Sequence, residues 1–133
     1  MTSCPFSSPL DRLPYPGRRP GGSPTAMLAR WADNAMRDAR NLTAQGEPAL
    51  ANLAHLRAEV YISAAELIAA EGITTVVGSY QHRAATLAGQ LHELEILGAP
   101  VEVLALPYIV GRAHQHVAAA LGDDFVGYIP RWV

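Results

Sequence analysis

Residues 72–83 read GITTVVGSYQHR, and the fold turns on whether Ile73–Val77 lies flat in a sheet or coils. Five β-branched residues follow one another there: Ile73, Thr74, Thr75, Val76 and Val77. Such side chains lose rotamer freedom in a helix and suit a pleated sheet, so the stretch reads as a strand. Gly78 and Ser79 then read as a turn and a helix cap. Ala84, Leu87, Leu91 and Leu94 recur at helical spacing behind them. That helix runs to Leu97, with Gly98 as its stop and Pro100 just beyond. Val101–Leu106 (VEVLAL) reads as a second strand closed by Pro107. Strand, amphipathic helix and strand make a βαβ unit, which requires parallel pairing and a right-handed crossover.

Working outward, a helix is expected from about Tyr108 to Leu121, stopped by Gly122, and FVGYI (125–129) reads as a third strand. On the amino-terminal side, Ser23 followed by Pro24 is a helix-start signal, because serine caps free amides and proline is tolerated in the first turn. Leu28, Trp31, Ala35 and Leu42 carry that helix to about Asn41, with Asp33 and Arg37 four apart on its wet side. Gly46 ends it. Pro48 opens a longer helix to about Glu71, with Leu53, Leu56, Val60, Ala64 and Leu67 along one face. Leu50, Tyr61 and Ile68 widen that face enough for two neighbours. The expected fold class is a helix-rich α/β domain. Two N-terminal helices precede a β-α-β-α-β unit with a small, mainly parallel sheet. Six of the ten prolines fall within Met1–Pro24, so residues 1–23 are expected to be a disordered Pro/Gly/Arg-containing arm and 24–133 a single globular domain.

The alternative is a mostly α fold with a helix-turn-helix. SAAELIAAEGITT resembles the first helix and turn of many bacterial regulators, and LHELEILGAPVEV resembles the helix-then-wing ending of winged-helix domains. That resemblance implies a DNA-binding transcriptional regulator. The residues between Gly72 and Gly98 number 25, more than the roughly 15–20 that a recognition helix and its lead-in need. The supposed recognition helix also holds Gly78 and only one cation, Arg83, whereas phosphate contacts draw on several. The strand reading is preferred.

Composition narrows the function classes. The net charge is −2, which gives no general attraction to nucleic acid or to an anionic membrane. All ten basic residues are arginine, as in GC-rich coding, so Schiff-base, P-loop and general-base lysines are excluded. Cys4 is the only cysteine, which leaves no intramolecular disulfide and no cysteine zinc site. No long apolar run or signal-peptide pattern is visible, so a soluble cytoplasmic protein with no membrane association is expected.

Candidate chemistry is sparse. At the end of the expected strand, Gly78, Ser79, His82 and Arg83 form a candidate anion site, where free amides, the helix dipole and the His82 and Arg83 side chains favour a phosphate-bearing ligand. No Gly-rich fingerprint accompanies them. His114 and His116 are two apart and diverge by about 200° on a helix, so they do not share a metal. His92 with Glu95 and His55 with Glu59 share faces only in pairs, which solvated polar surfaces explain, and no metal or other cofactor is expected. Ser79 with His82 lacks a third orienting group, Glu93 and Glu95 do not face each other, and Asp123 and Asp124 read as a polar turn. No catalytic residue is assigned. Arg18 and Arg19 in the arm, and Arg131 and Trp132 in the closing YIPRWV, are candidate partner-binding residues, because Arg and Trp recur in binding hot spots. A three-stranded sheet leaves open edges, which favours a homodimer. The expected function is a small, non-catalytic binding or accessory protein that self-associates. A DNA-binding regulator is the first alternative, and an enzyme or sensor for a small anionic ligand the second.

Overall fold

The structure, a computed structural model, describes residues 23–122. It contains four helices in chain order: α1 (Pro24–Ala44), α2 (Pro48–Glu71), α3 (Ile73–Ile96) and α4 (Val101–Gly122). Among the described residues there is no strand, so the α/β class and its parallel sheet are incorrect and the fold is all-helical. The N-terminal arm and the third expected strand, 125–129, lie outside the described residues.

The two amino-terminal helices form where the sequence signals them. The Ser23 hydroxyl accepts from the Ala26 amide at 3.3 Å, and Pro24 occupies the first turn of α1. Gly46 turns the chain with φ 78°, and Pro48 opens α2. Met27, Leu28, Trp31, Ala32, Ala35 and Ala39 are buried on α1. On α2 the buried stripe is Ala51, Ala54, Arg57, Ala58, Val60, Tyr61 and Ala64, whereas Leu53, Leu56 and Leu67 are only half-buried. The deepest contacts of α2 are thus made by its alanine face. Small side chains let neighbouring helices approach closely, and the leucines fill the flanks.

Ile73–Val77 is the start of α3, not a strand. β-Branched residues suffer in a helix chiefly by crowding the preceding turn, and the first turn has none. Val76 is fully buried, while Ile73 and Val77 pack against the core. Burial of such a side chain stabilises by about 1.5–3 kcal/mol, against a helix-propensity cost of at most about 0.7 kcal/mol per residue. Val101–Leu106 behaves likewise as the first turns of α4, whose leading amides at Val103 and Leu104 donate to the Pro100 carbonyl at 2.9 and 3.1 Å. Pro107 does not end the segment. It lies within α4, buried, seven residues in.

The helix-turn-helix alternative has the helix but not the connection. Such motifs join their helices through about three or four residues, whereas α2 and α3 meet at Gly72 alone, with φ 89° and ψ 165°. That conformation belongs almost only to glycine.

α1 packs along α2, and α3 along α4, as two antiparallel hairpins joined mainly through α2 and α4. One core holds Leu28, Trp31, Tyr61, Ala64, Val76, Tyr80, Ala113 and Val117, drawn from all four helices. A smaller cluster of Ala39, Ala54 and Ile109 closes the end nearest the α1–α2 turn. In the rest of the α3–α4 hairpin, the described stretch 81–106, no residue is buried.

Candidate functional site

Two regions have unusual chemistry: a polar cluster sealed inside the bundle, and the outboard half of the α3–α4 hairpin.

The cluster starts from Arg57, which falls in phase with the alanine stripe of α2 and is 1 % exposed. Its Nε donates to the Tyr61 hydroxyl one turn on, at 2.7 Å. The Tyr61 ring meets Trp31 of α1 edge-on, with centroids 5.3 Å apart. Burial raises the Tyr61 pKa, and the adjacent guanidinium opposes that rise. From α4, His116 is also 1 % exposed. Burial, reinforced by the positive charges of Arg57 and Arg112, pushes its pKa down to about 3. His116 is therefore a neutral imidazole near pH 7 and no proton shuttle there. Tyr80 of α3 donates its hydroxyl to the Val60 carbonyl at 3.3 Å, tying α3 to α2. His114 places Nδ1 2.8 Å from the Val110 carbonyl and tilts its ring against Tyr80 at 4.6 Å. Burial lowers the His114 pKa against the opposing effect of that hydrogen bond, with a further lowering from Arg83. The cluster links all four helices and is closed to a substrate.

The outboard region begins after Tyr80, the last buried residue of α3. Gln81, Ala84, Ala85, Ala88 and Leu91 of α3 face Pro107, Tyr108, Gly111, Arg112, Gln115, Ala118 and Ala119 of α4 across an open groove of about 590 Å³. The groove exists because its floor is small. Gly111 lets the helices close together, since a Cβ there would meet the Leu87 Cβ at 3.2 Å. Arg112 reaches Gln115 at 3.4 Å and lies over the Tyr108 ring at 6.0 Å, giving this end a cationic rim. Toward the hairpin tip, Ile96 is 70 % and Leu97 80 % exposed, and Val101, Val103 and Leu106 are each about half exposed.

The sequence-derived anion site takes a different setting here. Gly78 and Ser79 lie inside α3, not at a strand-to-helix junction, because the helix begins at Ile73. The free amides of that terminus belong to its first turn, upstream of Gly78. His82 is exposed, and Arg83 lies over the Tyr80 ring at 5.4 Å. Arg18, Arg19, Arg131 and Trp132 lie outside the described residues. Among the described residues no three His, Cys, Asp or Glu side chains converge as a metal site requires. No helix among them is long and apolar enough to cross a membrane.

Arg57 and His116 escaped the sequence reading. The available signal was an arginine four residues before a tyrosine, in register with Ala54, Ala58 and Ala64. The groove escaped it too, because helical spacing does not say which face of α3 meets which face of α4. Comparison with models of known families, with curated proteins and with solved structures finds no match to this chain.

Proposed function

We propose that this is a small, cytoplasmic, non-catalytic interaction protein that self-associates through the outboard half of the α3–α4 hairpin. The observation that supports this reading is the absence of any buried residue in 81–106, together with the exposed Ile96, Leu97, Val101, Val103 and Leu106 at the tip. A helix pair buries its apolar surface against another layer, and along 81–106 these two helices bury no residue. The five tip side chains leave about 500 Å² of mostly apolar surface in water, spread over more than one side of the hairpin, with Val101 on the groove side. The sealed polar core favours a non-catalytic role, since its histidine is neutral and its arginine is inaccessible. A single cysteine, without a disulfide framework, accords with the cytoplasm.

Sedimentation velocity of the full chain across the low to high micromolar range tests the proposal. A concentration-dependent shift to a larger species is expected, weakened when Val101, exposed on the groove side of α4, is replaced by Asp. A strict monomer at high micromolar concentration overturns it.

A further inference from the structure

We infer that the occupant of the α3–α4 groove is the same face of a second copy of this chain, laid antiparallel about a two-fold axis near Leu91 and Pro107. This rests on the self-association reading above and specifies its surface.

The face is defined by helical spacing. On α3, Gln81, Ala84, Ala88, Leu91 and Glu95 follow one another at three- and four-residue steps and share one side. On α4, Val101, Leu104, Tyr108, Arg112 and Gln115 do the same. The register between the helices comes from the close approach of Gly111 to Leu87. Counting antiparallel from that pair, Leu91 stands level with Pro107, and Arg112 stands one residue beyond Leu87, away from the tip. Glu95 lies eight residues from Leu87 toward the tip, about 12 Å along the axis.

The groove face is thus basic at one end, acidic at the other, and small and apolar between. Turning a second copy about a two-fold axis at the level of Leu91 reverses the charge order. The partner's Glu95 then comes level with Leu87, within one residue along the axis of Arg112 on the neighbouring helix, and the same pair recurs on the other side. A two-fold contact demands this kind of self-complementarity. A parallel pairing would place like ends together, and like charges facing each other are penalised.

Area sets the strength. Two helices side by side are about 20 Å wide, and Gln81 to Leu97 spans about 24 Å, giving roughly 500 Å² per copy in projection. The total is about 1,000 Å², the lower bound for a specific protein interface. An interface of that size belongs to a reversible dimer, not an obligate one.

Leu91→Cys in a Cys4→Ser background tests the geometry. A residue at a two-fold axis meets its own copy, so a short bis-maleimide, which adds one cysteine thiolate at each end, yields a covalent dimer in the native full-length protein. Ser63→Cys, exposed on α2, does not form one. Glu95→Arg is an independent check on an exposed side chain, expected to weaken dimerisation about tenfold because it turns two attractions into repulsions. Cross-linking at position 91 with weakening by Glu95→Arg upholds the inference. A dimer that neither cross-links through position 91 nor responds to Glu95→Arg overturns this face while leaving self-association intact. A monomer throughout removes both.

Discussion

Lowering the pH should unfold this protein through His116 in particular. In the folded chain the imidazole is shut from water and flanked by the charges of Arg57 and Arg112, which hold its pKa at about 3. Unfolded, it titrates near the ordinary value of about 6.5. Because the folded pKa is depressed, the unfolded state takes up the proton first, so stability is intact above about pH 6.5 and falls as the pH drops toward 3. At pH 4.5 the unfolded chain has gained about two pH units of protonation free energy that the folded chain lacks. At 1.36 kcal/mol per unit this is a loss of about 2.7 kcal/mol. In a domain of this size it lowers the melting temperature by roughly 10–20 °C. Carboxylates and the other histidines also titrate, so the measurement compares two proteins. Urea unfolding of the wild type and of His116→Leu at pH 7.5 and pH 4.5 isolates the residue. The wild type should lose about 2–3 kcal/mol more than the variant between those pH values. Equal losses in the two proteins would refute the reasoning, because the proton would then be taken up without cost beside two guanidinium groups.

Arg57 should distinguish charge from volume. Arg57→Ala leaves a cavity and strands the Tyr61 hydroxyl, costing about 3–5 kcal/mol in denaturant unfolding, whereas Arg57→Met strands the same hydroxyl but fills the space and is expected to cost less, about 1–3 kcal/mol. In the Met variant the His116 pKa, followed by its ring-proton shift in NMR, should rise, since one of the two charges holding it down is gone. Gly72→Ala should cost about 1–3 kcal/mol in the same unfolding assay, wholly from backbone strain, because nothing lies within 4 Å of the added methyl while φ is 89°. An unchanged midpoint would mean that the α2–α3 corner relaxes to another conformation.

The punctuation of this fold was legible in the sequence, but the type of two elements was not. Ser23–Pro24, Gly46 with Pro48, Gly72, and Gly98 with Pro100 each mark a boundary observed in the structure, because caps and positive-φ glycines act within a few residues of themselves. Ile73–Val77 misled because propensity measures one residue at a time. The decisive terms were Val76 in a four-helix core and a first turn that spares β-branched side chains. Val101–Leu106 misled for a related reason, compounded by Pro107. A proline usually ends a helix because it forfeits one hydrogen bond and crowds the preceding turn, yet α4 continues through it. Arg57 and His116 were invisible as partners because helix periodicity places a residue on a face without saying what lies opposite.

The unburied half of the α3–α4 hairpin and the polarity of the core belong to one physical arrangement. Arg57, Tyr61, Tyr80 and His116 occupy the volume where the two hairpins meet, so part of that junction is filled by groups that tolerate only one arrangement of partners. Such a junction fixes the angle at which α3–α4 leaves the α1–α2 pair, more rigidly than alanine and leucine alone would. A fixed angle matters for the 81–106 stretch, which has little burial of its own. If the stretch had to be ordered on each encounter, binding would bear that entropy, and the roughly 1,000 Å² of a groove-to-groove contact offsets little of it. Held in place by the core, the two helices present Ala84, Ala88 and Leu91 as a preformed floor. In the proposed dimer, the sealed polar cluster would thus contribute to binding without touching the partner.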